Sequence, residues 1–368
     1  MYYTSVSWTY IGILFRRCMN ITHIVKLITC IAVIAFAQVG CSVKTTAVDN
    51  TSTLDRVIER GFLLCGVSPS LPGFSFLNKD GVWSGLDVDI CRAVAAAVLG
   101  DSLLVKYVPV STTERFVILQ SGEVDILARN SSWTLSRDIS LGIDFTAINY
   151  YDGQGFMVYE RSKITSATEL NGATLCMSTG TSTELNIADF FKAKGMRYTA
   201  LSFDKPDEMV AAYENGRCDA FTSDISGLIV RRTSLKQPEQ HAILPDVISK
   251  EPLSPVVRQG DGRWRDVVSW VIFAMINAEE IGLNSENVKN AQVTFRHHPI
   301  AMRLLGVEGR LGVKLGLDNK WAYNIIAQVG NYGESYDKHL GVDSSINMPR
   351  GVNKLWLDGG LMYAPPVL

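Results

Sequence analysis

Residues 119–131, LQSGEVDILARNS, find a counterpart in residues 213–225, YENGRCDAFTSDI. In each, a helix-like approach ends at a glycine, Gly122 or Gly216, and an aspartate three residues on, Asp125 or Asp219, opens a short apolar strand. The strand ends on a polar residue, Asn130 in the first stretch and Asp224 in the second. A second pair lies upstream: RGFLLCGVS at 60–68 resembles NGATLCMST at 171–179 and sets Cys65 opposite Cys176. Two lobes of one design account for both pairs.

Around these anchors strands and helices alternate. In the first lobe FLLCGVS (62–68) reads as a strand, and GLDVDICRAVAAAVLG (85–100) as a helix with Ile90, Val94 and Val98 on one stripe and Gly100 as C-cap. A strand over 103–110, a helix over 113–121 and a strand over 124–128 follow. In the second lobe the same reading gives a strand over 173–179, a helix over 182–194 stopped by Gly195, a strand over 198–203, a helix over 206–213 and a strand over 218–223. The predicted class is therefore α/β, each lobe a mostly parallel sheet flanked by helices. The chain crosses between lobes at 147–155 and returns near 251–255, where Pro252 and Pro255 enforce extended backbone. Lobe 1 then comprises residues 54–150 and 253–368, the return carrying a C-terminal extension, and lobe 2 comprises residues 151–252.

The 368 residues exceed the usual size of one domain, and 47% hydrophobic with 20% charged residues supports a large packed core. A net charge of −2 without a Lys/Arg run excludes nucleic acid as a partner. At the N-terminus the apolar run LITCIAVIAFA (27–37) has the length of a signal-peptide core and is short for a membrane span. With Ala35 and Ala37 as an A-x-A cleavage site, residues 1–37 read as a signal peptide, Met19 being an alternative start, and 38–53 as a flexible segment. QVGC, ending at Cys41, offers lipid anchoring as the alternative. In an oxidising compartment Cys65, Cys91, Cys176 and Cys218 are expected to pair, with three connectivities open. Joining Cys65 to Cys91 and Cys176 to Cys218 would tie each lobe's first strand to another element of that lobe.

Ligands of parallel α/β sheets bind beyond the carboxyl ends of the strands, so the residues there carry the chemistry. STGTSTE (178–184) offers Gly180 for close approach, Thr181 as N-cap with Glu184 completing a capping box, and the N–H groups of Thr181, Ser182 and Thr183 as an anion site. RNSSWTLSRD (129–138) adds the small donors Asn130, Ser131 and Ser132 and a guanidinium, Arg137, whose fork matches a carboxylate. FTSD (221–224) places Asp224 to receive an amine, or to cap the next turn. Donors at one end and a carboxylate at the other suit a zwitterion. His297 and His298 are adjacent, DVD (87–89) suits a helix start, and neither a catalytic triad nor a nucleotide loop is present. No catalytic residue, metal or cofactor is expected; Asp152 and Glu184 are the acids an enzyme on this fold would have to use.

Several stretches, LPGFSFLNKDGVWSGLDVDICRAVAAAVLG (71–100), GEVDILARNSSWTLSRD (122–138), IDFTAINYYDGQGFMV (143–158), GRCDAFTSD (216–224) and LMYAPP (361–366), resemble the extracytoplasmic solute-binding proteins of polar amino-acid ABC transporters, family 3, and among them the general L-amino acid subgroup. The resemblance runs from residue 54 to the end. It implies a two-lobed, type II periplasmic-binding fold, a monomer in the periplasm that closes on an L-amino acid and delivers it to the permease subunits of an ABC transporter. By position, Arg137 and the Ser132 backbone, helped by Thr181 and Ser182, hold the α-carboxylate; Asp224 takes the α-amino group, with Asn130 as a further acceptor. Leu71 and Phe74 line the side-chain pocket, within SLPGF (70–74), which lacks the stacking aromatic of narrower relatives. Tyr150 and Tyr151 fall at the hinge or cleft wall, and Trp133 braces its loop. An enzyme on the same fold, a dehydratase forming an amino acid or a murein-cleaving domain, and an amino-acid sensor without transport are the alternatives.

Overall fold

A computed structural model describes residues 52–368, which form one compact unit. The expected signal peptide, Cys41 and the segment up to residue 51 lie outside the described residues. The last two residues of the segment read as flexible are anchored: Ser52 caps the helix Thr53–Arg60, and the Thr53 N–H donates to Asp261 at 2.6 Å.

Two five-stranded sheets share one plan. In the first the strand order is Val105–Pro109, Leu63–Val67, Ile126–Leu127, Val256–Arg258, Ile143–Phe145; in the second it is Thr199–Phe203, Thr174–Ser178, Ala220–Asp224, Gln154–Tyr159, His241–Ile243. The first three strands of each are parallel, and the fourth runs against both its neighbours. Each antiparallel strand follows a crossing of the chain. The crossing segments themselves, Tyr150–Asp152 and Glu251–Leu253, pair antiparallel, with Asp152 opposite Glu251 and Tyr150 opposite Leu253.

The sequence repeat has a mechanical cause. In sheet one the Asp125 carboxylate accepts the Leu64 N–H at 2.8 Å while its own N–H donates to the Leu64 carbonyl; in sheet two Asp219 does the same to Thr174, also at 2.8 Å. Each aspartate thus clamps the start of the strand second in its sheet. The glycines before them stand at positive φ, 84° at Gly122 and 70° at Gly216, where the preceding helices stop. Disulfides Cys65–Cys91 and Cys176–Cys218 lock the same two strands, closing spans of 26 and 42 residues. Loops of this length contribute about 3–4 kcal/mol each by restricting the unfolded chain.

The helix Leu86–Leu99 was expected to bury one stripe and instead is buried almost all round, because the apolar helices Gly262–Glu280 and Trp321–Gln328 pack on it from outside sheet one. The strand expected over 124–128 shrinks to Ile126–Leu127, since Asp125 spends its groups on the clamp. The C-terminal extension packs on this core and reaches the crossing. Asn353 accepts the Tyr151 N–H at 2.7 Å and donates back to the Tyr151 carbonyl at 3.0 Å, and the Tyr332 hydroxyl donates to the Asn149 carbonyl.

The two clamps differ in burial: Asp125 is 2% exposed, whereas Asp219 lies on the surface. Asp125→Ala leaves the part-buried Leu64 N–H and the Arg60 guanidinium without their shared carboxylate and is expected to cost about 2–3 kcal/mol in urea unfolding, and Asp219→Ala less than about 1 kcal/mol. Equal losses would contradict the clamp's dependence on burial.

Candidate functional site

The carboxyl ends of the strands from both sheets face one cavity. Asn130, Ser132, Arg137, Thr181, Ser182, Asp224 and Leu71 all line it. Phe74 does not: it is 1% exposed and its ring packs edge-on against Tyr150 at 5.1 Å, because the turn Leu71–Phe74 points it into the core of sheet one.

The loop after Ile126–Leu127 is held in an unusual shape. Asn130 stands at φ 29°, a conformation few non-glycine residues adopt, and its N–H donates to the Asp87 carboxylate at 3.0 Å. Asp87, read from the sequence as a helix-start acid, is fully buried and also accepts from the Asn149 side chain at 3.2 Å. Burial pushes its carboxyl up to about 6 against the pull of Asn130, Asn149 and Arg129. Further along, the Trp133 N–H donates to the Pro252 carbonyl at 2.8 Å and its ring stacks on Phe145, so the tryptophan braces the loop against the returning chain. Thr134 caps the short helix Leu135–Ser140, and the Arg137 guanidinium folds back to donate to the Ser132 carbonyl at 2.9 Å.

On the opposite side the helix Ser182–Ala193 aims its N-terminus at the cavity. The expected capping box does not form: the Thr181 hydroxyl turns back to the Ser178 carbonyl at 2.8 Å, and Glu184 accepts the Gly180 N–H at 3.0 Å and the Ser202 hydroxyl. Gly180, at φ 72°, pulls Glu184 away from the cap, and no side chain covers the first-turn N–H groups. They remain an anion-directed dipole end. Ser182 meets Ser132 across the cleft at 3.4 Å and donates to Glu251, in the returning strand, at 3.0 Å.

Asp224 begins the helix Ile225–Thr233 without capping it, so its carboxylate is left for the cavity. Burial raises its pKa well above the carboxylate range, Asp152 and Glu251 raise it further, and Arg231 and Arg115 only partly offset this. The other two acids have structural duties. Asp152 accepts from the Gly153 N–H and the Ser226 hydroxyl, Glu184 holds the Gly180 turn, and neither lines the cavity.

Three further arginines, Arg115, Arg129 and Arg231, line the same cavity, together with Ser68 and Thr112. Arg129 stands inside the loop singled out from the sequence, where its place beside Asn130 is a readable signal. Arg115 and Arg231 lie on helices whose cleft-facing side only the packing reveals. Among the described residues no group of three or more His, Cys, Asp or Glu side chains is placed to hold a metal ion.

Comparison with known proteins agrees with this geometry. The model for bacterial extracellular solute-binding proteins, family 3, matches residues 63–286. The general L-amino acid-binding periplasmic protein AapJ of Rhizobium johnstonii is 48% identical over 335 residues, 90% of this chain and 98% of that one. The glutamate/glutamine/aspartate/asparagine-binding protein BztA of Rhodobacter capsulatus is 49% identical over 331 residues, with the same coverage of 90% and 98%. Among solved structures, an ABC transporter periplasmic binding protein from Brucella ovis with glutathione bound superposes with a TM-score of 0.84 at 50% identity, covering 86% of this chain and all of that one. A mixed α/β chain in two sheets, with strand ends converging on a charged cleft and a family match across both sheets, belongs to the bacterial extracellular solute-binding proteins, family 3.

Proposed function

We propose that the protein binds L-amino acids through the groups they have in common and hands them to the membrane permease of an ABC transporter. The observation that carries this reading is the meeting, in one cavity, of Arg137, Ser132 and the open N-terminus of the helix Ser182–Ala193 with the carboxylate of Asp224. Arg137, the Ser132 backbone, Thr181 and Ser182 take the α-carboxylate, Asp224 takes the α-ammonium, and Asn130 accepts a further ammonium proton. Residues 54–150 with 253–368 act as one lobe and 151–252 as the other, turning about the paired strands Tyr150–Asp152 and Glu251–Leu253. The closed form is what the permease reads. Export by residues 1–37 delivers a monomer to the periplasm, with Cys41 as the anchor if the chain is lipidated. The names of AapJ and BztA support the ligand class, and that of AapJ supports the compartment.

Calorimetric titration of the mature protein with a panel of L-amino acids tests the reading, and failure to bind any of them ends it. Arg137→Ala removes the partner of a buried carboxylate, a loss of about 2–5 kcal/mol. It is expected to abolish binding of the whole panel alike; loss of one ligand alone would make Arg137 a reader of side chains.

Asp224 gives binding a sign with respect to pH. Its raised pKa means that the carboxyl holds its proton well above the usual carboxylate range, while the ammonium needs the ionised form. Binding therefore releases a proton, and affinity falls as pH drops through the raised pKa of the free protein. Titrations in buffers of different ionisation enthalpy are expected to show proton release, and proton uptake would refute the assignment.

A further inference from the structure

The match to the family ends at residue 286, yet the chain beyond it reaches back to the crossing strands. Asn353, 3% exposed, accepts the Tyr151 N–H and donates to the Tyr151 carbonyl, so its amide gives that strand edge the donor and acceptor of a neighbouring strand. On the other edge the residue in register with Tyr151 is Pro252, which has no N–H to give. The Tyr332 hydroxyl donates to the Asn149 carbonyl at 2.8 Å, and the Tyr150 hydroxyl donates to the Met348 sulfur at 3.3 Å while its ring stacks on Tyr336. Asn353 is itself fixed. Its N–H donates to the Arg350 carbonyl, and its carbonyl accepts the Arg350 guanidinium at 2.8 and 3.0 Å. Arg350 in turn pairs with Glu279 of the helix Gly262–Glu280 and lies 5.2 Å from the centres of both the Tyr332 and Tyr336 rings.

One residue further along the chain the anchors change sides. Asp152 accepts the Ser226 N–H and hydroxyl, and the Gly153 carbonyl accepts the Ile225 N–H at 2.8 Å. On the return, the Glu251 carboxylate accepts from Ser182, Ser249 and Asn186, all within residues 151–252. The next residue already belongs elsewhere. The Pro252 carbonyl accepts the Trp133 N–H, the Leu253 carbonyl accepts the Asn149 N–H, and the Ser254 N–H donates to the Ser131 carbonyl. Asp152 and Glu251 form one rung of the ladder, and Tyr151 and Pro252 form the next. The change of anchorage therefore falls within one peptide link of each crossing, between the same two rungs.

We infer that the C-terminal extension, acting through Asn353, is a hinge clamp that fixes Tyr150 and Tyr151 to the first lobe and confines the turning of the lobes to the links Tyr151–Asp152 and Glu251–Pro252. This rests on the two-lobe reading given above and assigns Tyr151 and Pro252 to the first lobe. A rotation confined to one step returns the helix Ser182–Ala193 to the same place at each closure, with Ser182 within 3.4 Å of Ser132. Without the clamp Tyr150 and Tyr151 turn as well. The ligand-free protein then samples a wider set of lobe angles, and closure has more freedom to remove. The contacts in the closed cleft are the same, so every ligand loses affinity by the same factor. Asn353 is thus a positioning residue, acting on the ligand only through the crossing strands.

The test is Asn353→Leu, which removes both bonds to Tyr151 at nearly constant side-chain size, read in the mature protein by small-angle X-ray scattering and by calorimetry with L-glutamate, L-glutamine and L-alanine. The ligand-free variant is expected to have a larger radius of gyration than the ligand-free wild type, and the two saturated forms to scatter alike. All three ligands are expected to weaken by one common factor of about five or more, as for one backbone residue that closure must fix anew. Tyr332→Phe, which keeps the ring and loses the bond to Asn149, is expected to give a common loss of about twofold, and it decides if Asn353→Leu does not fold. Unchanged scattering with unchanged affinities overturns the clamp. Loss of one ligand alone also overturns it, because Asn353 would then act on the pocket. A wild type that binds none of the three refutes the amino-acid reading, while the ligand-free scattering of wild type and variant still decides the clamp. A wild type that binds without contracting refutes the turning of the lobes, and the clamp with it.

Discussion

A charge taken out of water must be answered by another charge or by hydrogen bonds, and the cleft of this protein gathers four guanidinium groups against a single cavity-lining aspartate. Much of the architecture serves to make that tolerable. Asp87 rises from the helix beneath the cleft and faces Arg129 while fixing the Asn130 backbone. Glu251, 2% exposed, comes from the returning strand and stands near Arg137, itself held by Ser182, Ser249 and Asn186. On the lining itself the four guanidinium groups outnumber the one carboxylate, so the cavity wall is positive.

Glu251 also links the cavity to the crossing strands. It belongs to the strand Glu251–Leu253, pairs in register with Asp152, and bonds the helix Ser182–Ala193 that supplies the anion-directed N-terminus. Asp152 in turn holds the start of the helix Ile225–Thr233 just beyond Asp224. Both helix starts that border the cavity are thus tied to the crossing strands. The C-terminal extension bears on the same point, since Asn353 occupies the free backbone groups of Tyr151 and Tyr150 stacks on Tyr336 at 6.3 Å. Residues far along the chain thus brace the crossing strands without lining the cavity.

The sequence was most readable where function or folding imposes a local pattern. The glycine and aspartate of each repeat were legible because a helix stop and a strand clamp must sit at fixed spacing, and the polar strand ends because the topology puts ligands there. The capping box around Thr181 was misread because Glu184 had a competing donor, the Gly180 N–H, that only the three-dimensional turn presents. Phe74 was misplaced because it sits in the turn between the strands Ser70–Leu71 and Ser75–Leu77, which sends its ring onto Tyr150 in the core. Arg115 and Arg231 carry no motif. Which arginine of a helix enters a cleft depends on how that helix rolls against its sheet, and that is set by long-range packing.

The electrostatics of the cleft also explain how it could be selective without a rigid pocket. Burial and like-charged neighbours raise the pKa of Asp224, while burial lowers those of Arg115, Arg129 and Arg137. Each group is thus held away from its charged form by the cavity itself. Among them the aspartate yields most readily, because a guanidinium does not give up its proton in a protein. In the proposed reading a proton on Asp224 stands in the place of the ligand ammonium and is exchanged for it. The arginines have no such substitute, and Arg129, Arg137 and Arg231 are answered within the protein by Asp87, Glu251 and Asp207.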